Sequence, residues 1–130
     1  MALSDQRKRE WLSKKKRQGF RGYPLATLSF YGPSDTKATK LAIGVVRFEN
    51  DDAQIVERLY SENDTVDLRT DETHNRVASI LKEHKVKSVV AMDRIIGCPH
   101  EEGIDYPEGD VCQQCPYWAN RDRWTGELIH

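Results

Sequence analysis

The sequence predicts an α+β fold, a mixed α/β arrangement of a β-meander plus one α-β unit, with a basic N-terminal helix in front and an irregular C-terminal segment behind. Three observations predict it. Apolar residues alternate with period two near 25–31 and 40–48, they recur at helical spacing over 71–84, and a Val-rich run follows that helix directly. At 130 residues the chain suits one domain. We divide it into a basic helical arm, 1–22, and a single α/β domain, 23–130, which includes a chemically distinct segment at 97–118.

Residues 4–18 read as a helix. Ser4 or Asp5 can satisfy its first N–H groups, good helix formers fill it, and Gly19 stops it. Its large apolar residues are Trp11 and Leu12, with Leu3 just before, so it is expected to dock lightly. Leu25 to Tyr31 is a half-buried strand with Ala26, Leu28 and Phe30 on one face. After the loop Gly32-Pro33-Ser34-Asp35, a second strand runs from Lys40 to Phe48 and breaks at Asn50-Asp51-Asp52. Gln54 to Ser61, with Ile55, Val56, Leu59 and Tyr60, fits a strand or two helical turns, and we take the strand.

Asp71 to His84 is the strongest helix. Thr70 or Asp71 can cap it, acids fill its first turn, and Val77, Ile80, Leu81 and His84 fall on one face. Val86 to Met92 then reads as a strand buried on both faces. A helix feeding such a strand implies a parallel pairing through a right-handed crossover, beside an antiparallel meander. The second helix would cover one face of the sheet and the N-terminal helix the other. This order also resembles the opening of ribonuclease H-like folds. Their activity implies carboxylates on the sheet, whereas the first strand offers Ser29 and Tyr31 and no acid.

Charge is distributed unevenly. Residues 1–22 carry a net +6, from Arg7, Lys8, Arg9, Lys14, Lys15, Lys16, Arg17 and Arg21 against Asp5 and Glu10, while the remainder carries a net −7. The arm should therefore seek an anionic partner, or the chain's own acidic body. No apolar stretch approaches the ~20 residues that span a bilayer, and residues 1–16 lack the apolar core of a secretory signal, so a cytoplasmic protein is expected. Three cysteines, an odd count confined to 98–115, fit metal ligation in a reducing compartment better than a disulfide framework.

Those cysteines form the pattern Cys98-Pro99-His100, eleven residues, then Cys112-Gln113-Gln114-Cys115. A C-x-x-C turn delivers two thiolates from one knuckle, and residues at i and i+2 of an extended segment share a side. Cys98, His100, Cys112 and Cys115 are thus expected to bind one structural Zn2+ per chain and to staple the irregular segment. His100-Glu101 followed by Cys112-x-x-Cys115 also looks like the zinc signature of nucleoside and nucleic-acid deaminases, with Glu101 or Glu102 as proton carrier of a hydrolase or deaminase. Against that, the gap is short, Val111 stands where Pro is expected, and Cys98 fills the fourth position. The stretch Gly97 to Gly109, together with Cys112 to Trp118, resembles small uncharacterised bacterial zinc-binding proteins. The resemblance extends loosely over most of the chain and implies metal binding without an assigned activity.

After the metal segment come Tyr117, Trp118, Arg121, Arg123 and Trp124. These could stack bases, present a protein-binding surface through Trp118 and Trp124, or pack over the metal. The arm is the better candidate for RNA or a nucleoprotein surface, with Trp11, Phe20 and Tyr23 interleaved among its cations. Its continuous run Lys14 to Arg17 spreads charge around the helix axis, which suits phosphate contacts without base reading. His74, His84 and His130 read as ordinary packed or capping residues, and Asp93-Arg94 as an ion pair beside the metal segment. No phosphate-binding Gly-rich loop or nucleophile elbow is present. The chain therefore reads as a non-enzymatic binding or adaptor module.

Overall fold

In chain order the elements are α1 (Asp5–Gln18), β1 (Leu25–Tyr31), β2 (Lys40–Val46), β3 (Gln54–Tyr60), α2 (Asp71–Glu83), β4 (Ser88–Ile95) and a short 3-10 turn at Pro116–Trp118. The computed structural model describes residues 4–34, 36–61, 67–110 and 112–119, with the backbone alone at Asp93. The strands form one sheet in the order β3-β2-β1-β4. Ser61 N donates to Thr39 O and Thr39 N to Tyr31 O, the register of an antiparallel meander. Lys87 N donates to Pro24 O and Ile96 N to Phe30 O, so β4 advances in the same direction as β1. The sheet is therefore mixed and the fold is α+β, as the order of elements predicted.

The chain forms two compact units. One comprises Met1–Leu28, Ala42–Arg58 and Arg69–Ala91, and the other Ser29–Leu41, Leu59–Leu68 and Met92–His130. In the first, Ser4 caps α1 by accepting from the Arg7 amide, and Thr70 caps α2 by accepting from that of Thr73. The two helices pack against each other. Leu12, 1 % exposed, and Val77, Ala78 and Leu81 of α2 are all buried. The expectation of a lightly docked helix is corrected here. One fully buried Leu, with Trp11 lying against Lys82 Nζ at 4.9 Å from the ring centroid, gives a narrow stripe enough purchase when another helix receives it. Nor is α1 placed alone on the far face of the sheet, since its neighbour is α2.

A second correction concerns which strand is central. The Val-rich run was expected to be buried on both faces, yet Val89 is buried while Val90 is 47 % exposed: successive side chains point to opposite faces, and only one face of β4, an edge strand, is covered here. β2 is the strand buried almost throughout. Its Gly44 makes room there: a Cβ would lie 2.6 Å from Thr27 Oγ1 on the neighbouring strand. β2 also stops at Val46, leaving Phe48 exposed.

In the second unit, Ala38 N donates to Asp67 Oδ2 and Leu68 N to Ala38 O, tying the approach to β2 to the segment before α2. Gly32, at the end of β1, donates its amide to Gly97 O and accepts from Trp118 Nε1 at 2.8 Å. That pair of bonds fixes the entry to the cysteine-bearing segment and its far side to one residue.

Candidate metal centre

The four predicted donors meet. The ligand atoms of Cys98, His100, Cys112 and Cys115 all lie within 4.8 Å of one another. His100 Nδ1 stands 3.1 Å from Cys98 Sγ, 3.4 Å from Cys112 Sγ and 3.5 Å from Cys115 Sγ. A tetrahedral ion with metal–sulfur bonds of about 2.3 Å and a metal–nitrogen bond near 2.0–2.1 Å would set S to N edges of about 3.5 Å. The group could therefore hold a metal ion, with Nδ1 as the nitrogen donor.

The local backbone explains the convergence. β4 delivers Ile96 against Phe30, and Gly97, at φ 155°, turns the chain with its carbonyl bound to Gly32. Cys98 follows at once, and its sulfur accepts from the His100 amide at 3.3 Å. The return is shaped by short bonds within the acidic loop. Asp105 Oδ2 accepts from Glu101 N at 2.7 Å, Gly103 N donates to Tyr106 O, and Glu102 Oε1 accepts from Gly109 N at 2.8 Å. Past Cys115, the turn Pro116–Trp118 places the indole N–H on Gly32 O.

Cys112 and Cys115 are buried and Cys98 is half-buried. Burial pushes the Cys98 thiol well above its ordinary value, against the pull of the His100 amide, and the neighbouring Cys115 and Cys112 sulfurs push the same way. Three sulfurs packed this closely cannot all carry charge unless a cation stands between them, and a soft divalent ion meets that need.

Lys40 is a residue of this region that sequence reasoning did not single out. Only 4 % of its side chain is exposed. Its Nζ donates to Pro99 O at 3.0 Å, pairs with Glu101 Oε2 at 3.4 Å, and lies 5.6 Å from the Tyr31 ring centroid and 5.9 Å from that of Tyr60. A lysine opening a strand reads as a solvent-facing end, and nothing local announces its partners. Both glutamates of the deaminase-like pattern are thus engaged, Glu101 with Lys40 and Glu102 with the Gly109 amide.

The eight basic residues of the arm fall into two groups. Arg7, Lys14, Arg17 and Arg21 are exposed. Lys8, Arg9, Lys15 and Lys16 are half-buried: Arg9 donates to Asn75 Oδ1 and reaches Asp71, and Lys15 Nζ donates to Lys87 O. Burial lowers the Lys16 pKa. Part of the charge is therefore turned inward. The rest lies along one side rather than around the axis, because positions 7, 14 and 17 share a helix face. Phe20 and Tyr23 meet edge to face, and Phe20 is 62 % exposed.

His84 ends α2 and lies 3.5 Å from Arg47, while His74 is half-buried on that helix. Leu3, Val111, Arg121, Arg123, Trp124 and His130, and the side chain of Asp93, lie outside the described residues. Among the described residues, no helix is long and apolar enough to cross a membrane. No protein-family model, curated protein or solved structure matches this chain.

Proposed function

We propose that this chain is a zinc-stapled, non-enzymatic binding module whose N-terminal helix contacts RNA or a nucleoprotein surface through phosphates. The observation that carries the reading is the convergence of four protein donors, three sulfurs and one imidazole nitrogen, on a single point. That donor set suits zinc, and four protein ligands complete its tetrahedron, leaving no position for a reacting water. Thiolate ligands also suit a reducing compartment such as the cytoplasm. The metal then does structural work: it closes the segment 98–115, which has few apolar residues with which to fold by itself.

Arg7, Lys14, Arg17 and Arg21 supply the anion-seeking surface, and the exposed Phe20 beside them offers a ring for an unpaired base. Metal analysis of the purified chain, with binding to single-stranded and duplex RNA across a salt series, tests both halves. About one zinc per chain and binding that weakens as salt rises support the reading. A metal-bound water with only three protein ligands would instead establish the hydrolase alternative. Zinc without any affinity for RNA would remove the nucleic-acid half.

A further inference from the structure

A cleft of about 380 Å3 opens beside the metal centre. Its walls include Pro33, Pro99, Tyr60, Asp105 and Gln114, and two of the candidate metal donors, His100 and Cys115, also line it. The volume suits a side-chain-sized group rather than an extended polymer. Tyr60 is 60 % exposed, so although Lys40 Nζ stands 5.9 Å from its ring centroid, much of its surface stays open to contact.

The charge of this cleft selects its occupant. Among the described residues no lining residue is a lysine or arginine, and Asp105 brings a carboxylate. On the zinc reading above, three thiolates outweigh the divalent ion by one charge, so the two donors in the wall bring a further negative charge. This part of the argument rests on that reading. The nearby Lys40 is paired with Glu101 at 3.4 Å and does not reverse the balance. From Ile95 to Ala119 the chain has five acidic residues and neither lysine nor arginine. Ser61, whose amide donates to Thr39 O in the cleft wall, buries a hydroxyl without a hydrogen-bond partner among the described residues. Phosphates would be repelled here.

A flat cation with several N–H donors on an apolar stem satisfies each of these features. It can lie on the Tyr60 ring, pair with a carboxylate, reach the Gln114 carbonyl and set its methylenes between two prolines. We infer that the cleft beside the metal centre receives the guanidinium of an arginine side chain from a basic segment of a partner protein. This recognition is separate from the phosphate contacts proposed for α1 and opposite to them in charge.

The test is a titration of the zinc-loaded full chain with N-acetyl-arginine amide, with a short neutral peptide carrying one arginine, and with guanosine and adenosine monophosphates. It is followed through the backbone amide shifts of Tyr60, Asp105 and Gln114. Both arginine probes should move those resonances, and the nucleotides should not. Asp105→Asn keeps an oxygen for the Glu101 amide and removes the charge, and Tyr60→Leu removes the ring from an exposed position. Each should weaken the arginine probes about fivefold while zinc content stays at one per chain.

Silent resonances at millimolar probe with zinc bound would overturn this inference and leave the proposed function standing. Absence of zinc would strike the proposed function itself. Preferential binding of a nucleotide at these residues, or affinity unchanged in both variants, would also overturn the inference. Binding of free agmatine with exclusion of the peptide would overturn the protein origin of the cation.

Discussion

The Nζ of Lys40, on β2, donates to the carbonyl of Pro99, the residue between the candidate metal donors Cys98 and His100. A buried ammonium thereby holds the peptide that sets the spacing of the first two ligands, and Glu101 balances its charge one residue beyond them. Groups in this relation to a metal orient its ligands, and their loss typically lowers metal affinity about 10–100-fold.

Lys40→Met should therefore weaken zinc retention by about that factor, read by competition with a chromophoric chelator. It also removes the buried ammonium that pairs with Glu101 at 3.4 Å, so denaturant stability should fall in the same variant. Lys40→Arg, which keeps a donor and a charge, should recover part of the affinity. Equal zinc affinity in Lys40→Met and the parent would show that Pro99 is held by the loop alone.

Gly32 has no room for a side chain. A Cβ there would overlap the Lys37 carbonyl, and the bonds to Gly97 and Trp118 depend on the backbone staying where it is. Gly32→Ala is expected to cost about 1–3 kcal/mol, the usual range for forced overpacking. Trp118→Phe removes the indole N–H together with part of the ring area and should cost roughly 1 kcal/mol or more. Chemical denaturation at fixed zinc gives both values, and a neutral Gly32→Ala would mean the 32–37 loop relaxes freely.

Leu12 is fully buried where α1 meets α2. Leu12→Ala should destabilise by about 2–5 kcal/mol. A loss below 1 kcal/mol on thermal or denaturant unfolding would return α1 to the status of a loosely docked arm.

His74 carries the pH dependence of the helix pair. Burial lowers its pKa first, Lys16 and Arg9 push the same way, and Asp71 with the Thr70 carbonyl resists them. The folded state thus binds its proton less readily than the unfolded chain does. Stability from this group is full above the ordinary imidazole value and is lost as pH falls from there through the lowered folded value. His74→Gln should flatten that part of the stability profile relative to the parent, and superimposable profiles would remove His74 as the cause.

The exposed cations of α1 bound the number of phosphates it can neutralise. Three or four contacts on a single strand correspond to a log affinity against log salt slope of about −2 to −3, well short of what all eight cations would give. The combined variant Arg7→Glu, Lys14→Glu, Arg17→Glu should abolish RNA binding while keeping the fold. Retained affinity would point to a different nucleic-acid surface.

Local periodicity carried most of the fold. The 3.6-residue spacing of Val77 and Leu81 and the alternation of Ala26, Leu28 and Phe30 appear as buried positions on the elements they predicted. The quartet was legible because sulfur and imidazole ligands have a recognisable spacing. Strand order was not, since the apolar runs of β2 and β4 look alike in sequence, yet β2, with Gly44, holds an interior position and β4 an edge. Lys40 was hidden for the same reason: its partners lie some 60 residues away, at Pro99 and Glu101, and only the topology brings them near. The depth of Leu12 likewise depended on α2 receiving it.

That burial changes what the first 22 residues mean for the life of the protein. The peptide Gly19-Phe20-Arg21 is exposed on all three residues, an accessible place for proteolysis behind a helix that looks like a detachable charged leader. One cut there would sever Arg7, Lys14 and Arg17 together with the buried Leu12 from the rest of the chain. Clipping would thus separate exposed charge and buried apolar surface from the chain in a single event.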